Sequence, residues 1–252
     1  MRRASLLLAG LVVLVAGACG PGLVSTPQAL PPVPTTTTLP PTTTPPDLAP
    51  LPSGRSYVAA PMSAPLSYSA SPGGPVIGQL DDKSWGAPTV GPVLAARDGW
   101  LQIRLHTRPN GSTAWVPRQA VTLASTPYQV VVSISRRTLT LYLDGQPTYR
   151  SDVGVGKPQW STPVGPTFVV AIDAVPNNQQ YIYGPIVVVL ASHSDVFTEF
   201  DGGDGTVAIH GYPSDPASTR GVASSHGCVR ASPETMNALT NLPLGTPVDI
   251  VA

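Results

Sequence analysis

The sequence predicts a mostly-β protein: two folded parts built almost entirely of strands, with a proline-rich tether ahead of them. Three observations carry that expectation. From residue 55 onward, short apolar runs alternate with Gly, Asn and Asp turn signals, the pattern of closely spaced strands. Only the segment that begins at Ser232 has the start signals of a helix. The 31 prolines among 252 residues exceed the usual ~5% and are densest between residues 20 and 54. Formal net charge is zero and 11% of residues are charged, so no electrostatic footprint points to nucleic acid or to an anionic membrane surface.

The first 19 residues read as an export signal. Arg2 and Arg3 supply positive charge, Leu6 to Val15 is nearly all apolar, and the small residues Ala16, Gly17 and Ala18 precede Cys19. That is a charged region, a short apolar region and a small-residue cleavage site. The apolar run falls short of the ~20 residues that a membrane span needs. A cysteine directly after small residues resembles the bacterial lipobox, although Ala16 stands where that motif usually has Leu. The resemblance implies lipidation of Cys19, anchoring the exported protein at the outer face of the cytoplasmic membrane, beside the cell wall. An ordinary signal peptide is the alternative. The chain has one other cysteine, Cys228. With Cys19 lipidated, Cys228 has no intramolecular partner, and an exported protein that keeps a lone thiol should have a use for it.

Residues 20–54 are rich in proline and threonine, with too few apolar side chains to form a core. Such a chain runs at ~3 Å per residue, so its roughly thirty-five residues reach on the order of 100 Å. It reads as a spacer, or as an O-glycosylated stalk. Residues 55–125 contain the runs SYVAA, PVIGQL, PVLAAR, WLQIRL, AWVPR and AVTL. Pro72-Gly73-Gly74, Asp98-Gly99 and Asn110-Gly111 separate them. Short strands with such turns predict a small barrel, with Trp100 and Trp115 expected in its core. The segment WLQIRLHTRPNGSTAWVPRQAV resembles a bacterial SH3-like wall-associated module, which implies wall binding; a spacer role is the alternative.

Residues 126–252 form the second unit. Val130, Val132 and Ile134 alternate with other positions, as do Leu139, Leu141 and Leu143, and Asp144-Gly145 follows as a turn. PTFVVAI, PIVVVL, TVAIH and VDIVA are further strands. Ser232 as N-cap, Pro233 at the first helical position and Glu234 in the first turn open a helix expected to end near Asn241.

The chemistry lies in HGYPSDPASTRGVASSHGCVR, from His210 to Arg230. A free thiol of pKa ~8.5 is only a few per cent ionised at pH 7. A neighbouring imidazole can take its proton, or stabilise the thiolate as imidazolium. His210, at a strand end, and His226, two residues before Cys228, are both candidates for that base. Gly227 permits a sharp turn and close substrate approach, and the N–H groups of Gly227 and Cys228 are candidate donors to an oxyanion.

The HG pair followed, some fourteen residues later, by Ser225-His226-Gly227-Cys228 resembles the signature of the L,D-transpeptidase (YkuD-like) catalytic domain. VGVGKPQWSTPVGPTFV, FDGGDGTVAIHG and LPLGTPVDIV resemble its other segments in order. The resemblance covers residues 126–252 and implies a β-sandwich with one short helix. It implies Cys228 as nucleophile, His210 as base oriented by the Gly211 carbonyl, His226 in support and Ser225 holding the loop. Arg230, Tyr183 and His193 become candidate substrate contacts. The implied reaction joins peptidoglycan tetrapeptide stems through their third residues with loss of D-alanine, without metal or cofactor, and carbapenems are the implied inhibitors. Hydrolysis by an L,D-carboxypeptidase, or attachment of a protein amine to the wall, would use the same acyl-enzyme.

Three rival readings are weaker. Papain-like endopeptidases place the cysteine before the histidine, the reverse of the order here. A zinc site from His193, His210, His226 and Cys228 lacks the paired ligand spacing of structural zinc motifs. A non-catalytic wall-binding lipoprotein would have no use for the complete motif.

Overall fold

The computed structural model describes residues 48, 49, 51–200, 202–211 and 220–252. The export segment with Cys19, nearly all of the tether and residues 212–219 lie outside the described residues.

The first sheet contains β1 (Ser56–Pro61), β2 (Leu66–Ser69), β3 (Val76–Leu80), β6 (Gly91–Arg97), β7 (Trp100–Arg104), β8 (Thr113–Pro117) and β9 (Val121–Thr126); β4 (Lys83–Ser84) and β5 (Ala87–Pro88) form a small hairpin beside it. Its order is β3-β2-β8-β7-β6-β1-β9. Asp98 and Gly99, with φ of 53° and 75°, make the two-residue turn between β6 and β7, a conformation that Asp-Gly tolerates and most residues do not. Strict alternation along β7 and β8 turns Leu101, Ile103, Ala114 and Val116 into the core. The same alternation corrects the expectation for the tryptophans. Trp100 and Trp115 lie on the opposite, half-exposed face, where Arg97 sits 5.4 Å over the Trp115 ring. The two bulky rings share the parity of the polar Gln102 and Thr113, and smaller side chains fill the interior.

The second sheet contains β10 (Tyr128–Ser133), β11 (Thr138–Leu143), β12 (Gln146–Asp152), β14 (Gly165–Ala174), β15 (Ile186–His193), β16 (Thr206–His210), β18 (Val229–Arg230) and β19 (Pro247–Val251). Its order is β12-β11-β10-β19-β14-β15-β16-β18. The short β13 (Val155–Gly156) pairs with β17 (Ala223–Ser225) alongside. β19 is inserted parallel to β10, Val130 opposite Val248, and antiparallel to β14. A four-residue helix, α1 (Gln180–Tyr183), precedes β15, and α2 (Pro233–Leu239) follows β18. Ser232 caps α2 by accepting the Thr235 N–H at 3.2 Å. The helix ends two residues earlier than expected and packs Met236 and Leu239 into the core.

Around β14 and β15 both faces of this sheet are buried. Val188 and Leu190 join Val130, Val132, Leu139, Ile209 and Val229 in the main core. Their neighbours Val189 and Ala191 join Phe168, Val170 and Ala171 in a second cluster, and Ala87 of the first part packs against it. The unbroken apolar runs FVVAI and VVVLA fit a sheet covered on both sides.

The two parts meet at close quarters. Arg55 Nε donates to Asp144 at 2.7 Å. Gly245, with φ 78°, has room for no side chain: a Cβ there would come within 2.9 Å of both Val58 and Val90. Gly245→Ala combines a disfavoured backbone with overpacking at that seam. It is expected to cost about 2 kcal/mol and to lower Tm by roughly 5 °C, measurable by calorimetry.

Candidate active site

The parallel pairing of β16 with β18 builds the site. Ile209 lies opposite Val229, and His210 opposite Arg230. Ile209 and Val229 are fully buried in the core, so His210, Arg230 and Cys228 share the other face. Cys228 comes one residue ahead of β18 and hydrogen-bonds to the Ala208 backbone. With strands ~4.8 Å apart and ~3.3 Å of rise per residue, the His210 and Cys228 backbones are on the order of 8 Å apart, within side-chain reach. Both side chains line a cleft of about 430 Å³.

His210 is 4% exposed. Its Nδ1 lies 2.7 Å from the Gly211 carbonyl oxygen. A carbonyl only accepts, so Nδ1 carries the hydrogen and Nε2 is left with the lone pair. Burial pulls the imidazole down to about 4; the Arg230 charge adds to the shift and the Gly211 bond opposes it. The ring is therefore neutral above about pH 5. Tyr183 of α1 meets it edge-on, ring centres 5.3 Å apart.

Cys228 is half-buried and unpaired. Burial pushes its thiol up, against the Ala208 hydrogen bond and the Arg230 charge. The resting pair is thus thiol and neutral imidazole rather than thiolate and imidazolium. Ser225, buried, closes the turn: its Oγ donates to the Cys228 carbonyl at 2.6 Å and accepts the Gly227 N–H at 3.1 Å. Gly227 has φ 129°, a region closed to other residues. One expectation changes here. The Gly227 N–H is turned onto Ser225 rather than toward an oxyanion, because the tight turn needs it.

His226 is exposed and stacks on Trp160 with centres 4.2 Å apart. Phe197 and Phe200 stand 6.1 and 5.6 Å from it. His226, Phe197 and Phe200 line one side of the cleft, with Trp160 packed against His226 and Phe197 and Lys157 5.1 Å over Trp160. Arg230 reaches the Ser224 hydroxyl at 3.2 Å and lines the cleft with Tyr183. His193 does not line it. It is 4% exposed and its Nε2 pairs with Asp204 at 2.9 Å, since its place on β15 turns it toward the first part of the chain. Among the described residues no three His, Cys, Asp or Glu side chains converge to hold a metal ion. Sequence reading missed Trp160, Phe197 and Phe200, which come from two separate connections and carry no periodic signal.

The family model for YkuD, the L,D-transpeptidase catalytic domain, matches residues 127–250. No curated protein matches the sequence. Among solved structures, an L,D-transpeptidase from Mycobacterium smegmatis is similar at TM-score 0.40 and 18% identity, over 61% of this chain and 91% of that one. L,D-transpeptidase 3 from Mycobacterium tuberculosis, in complex with a faropenem-derived adduct, is similar at 0.41 and 17%, over 61% and 91%. An L,D-transpeptidase from Xylanimonas cellulosilytica is similar at 0.37 and 22%, over 50% and 60%. Residues 127–250 are thus the part of the chain that is similar to the YkuD, L,D-transpeptidase catalytic domain.

Proposed function

We propose that this protein is an exported peptidoglycan L,D-transpeptidase with Cys228 as nucleophile and His210 as general base. The observation that supports it most is the placement of the Cys228 thiol and an oriented His210 imidazole in one cleft, within the residues that match the YkuD domain. In the reaction proposed, Nε2 of His210 takes the Cys228 proton as Sγ attacks the carbonyl of the third stem residue. The tetrahedral intermediate is held by the Cys228 N–H. Its collapse breaks the peptide bond, and the departing D-alanine amine takes the proton back from His210. A side-chain amine of a second stem then attacks the thioester, giving its proton to His210, and Cys228 leaves as thiol. His226 and its aromatic neighbours flank the stem, and Arg230 and Tyr183 contact it. Carbapenems acylate the same sulfur.

The residues 1–19 support export and a lipid anchor at Cys19, and residues 55–125 support an SH3-like module that meets the wall. Incubation with tetrapeptide muropeptides, read by mass spectrometry, tests the reaction. Dimers with loss of D-alanine are expected. Tripeptide alone would make the protein an L,D-carboxypeptidase, and no change at all would leave a wall-binding protein without this activity.

A further inference from the structure

The β15–β16 connection, from Ser194 to Gly205, carries the cleft residues Ser194, Phe197 and Phe200. Within it, Ser194 N–H donates to the Gly205 carbonyl, Phe200 and Gly203 exchange two hydrogen bonds, the Ser194 hydroxyl accepts the Val196 and Phe197 N–H groups at 3.2 and 3.0 Å, and Thr206 donates to Asp204. A further grip comes from the other part of the chain. In the loop between β7 and β8, the Arg108 guanidinium donates to three carbonyls of this connection: Ser194 at 2.9 Å, Phe197 at 2.9 Å and Asp204 at 2.8 Å. Two residues on, the Asn110 amide pairs with the His193 backbone in both directions, each at 2.7 Å. His193 in turn holds Asp204. Gly205 is pressed so closely under this arrangement that a Cβ would overlap the Phe197 carbonyl and meet the Arg108 guanidinium.

Only arginine offers donors in a planar fork able to gather several carbonyls at once. These three belong to residues far apart along the connection, so the guanidinium fixes the loop's shape as well as its place. Phe197 is one of the three, and its ring forms the wall against Trp160 and His226.

We infer that the first part of the chain is a working component of the active site, in which Arg108 and Asn110 are positioning residues that hold the Phe197–Phe200 wall of the cleft in its substrate-binding form. The inference rests on the reaction proposed above for the purpose of the wall, while the clamp itself rests on geometry alone. A rigid aromatic wall raises affinity for the stem by removing the ordering cost from binding; it does not touch the sulfur or the imidazole.

The full chain, with Arg108→Ala and the milder Arg108→Lys, tests this. Amide hydrogen exchange should accelerate about tenfold or more in the 194–205 peptide and stay unchanged at Val188 and Leu190 of β15. KM for a tetrapeptide stem should rise about tenfold with kcat within about threefold, and alkylation of Cys228 by iodoacetamide should keep its rate. Lysine, a single point donor, should fall between alanine and wild type. Unchanged exchange at 194–205, faster exchange at β15 in both variants, or an unchanged KM beside a loosened loop would each overturn the inference. If wild-type protein releases no D-alanine, the reaction falls, and the exchange data alone then decide the clamp.

Discussion

Cys228→Ala is expected to abolish release of D-alanine from tetrapeptide stems, and His210→Gln to lower it by about 10³-fold. Neither should unfold the protein. Alanine in place of a half-buried thiol removes one atom from a cleft, and glutamine can still donate to the Gly211 carbonyl that the imidazole now meets at 2.7 Å. What glutamine lacks is a nitrogen lone pair to receive the thiol proton. Activity within tenfold of wild type in His210→Gln, with the fold intact by circular dichroism, would remove His210 from the role of base and favour His226. The pH profile gives a second check. An ordinary imidazole needs pH above ~6.5 to be mostly neutral; with the ring pulled down to about 4, kcat/KM should hold level below pH 6 and fall only near pH 4. The same shift acts on stability. Between about 4 and 6.5 the unfolded chain binds a proton that the folded chain does not, so stability rises with pH through that window. The contribution is about 3 kcal/mol, present above ~6.5 and lost as pH falls to about 4.

A chain trimmed to residues 127–252 is expected to fail as a soluble, cooperatively folding protein. Trimming would uncover the outer face of the second sheet, where Phe168 is 1% exposed, Val189 2% and Val170 5%. Full burial of such side chains is worth about 1.5–3 kcal/mol each, so exposing the cluster removes an amount comparable to the 5–15 kcal/mol that typically holds a domain folded. It also leaves an apolar sheet face open to association. The measurement is recovery and size of the fragment after expression, with thermal unfolding of whatever stays soluble. A monomeric fragment melting within a few degrees of the full chain would show that the second sheet stands alone.

These two expectations differ in how far they could be read from the chain. The local geometry of the candidate site was legible because its parts are short in sequence: one strand end carries His210, and one tight turn carries Ser225, Gly227 and Cys228. The Asp-Gly turns and the Ser232 cap were legible for the same reason. What failed was everything decided between distant segments. Trp100 and Trp115 looked like core, but strand parity put them outside. β2, paired between β3 and β8, and β12, at the edge of its sheet, are polar pieces that no apolar run marks. The grip of Arg108 and Asn110 on the 194–205 connection links segments more than eighty residues apart, and nothing near either one announces the other.

The side-by-side, same-direction placement of Ile209 and Val229 has a consequence for how such a cleft can vary. The distance from sulfur to imidazole is written in the hydrogen-bond ladder and not in the stretch of chain between them. Side chains elsewhere on the cleft wall, such as Phe197 and Phe200, can change the shape of the cleft while the ladder keeps sulfur and imidazole at their separation.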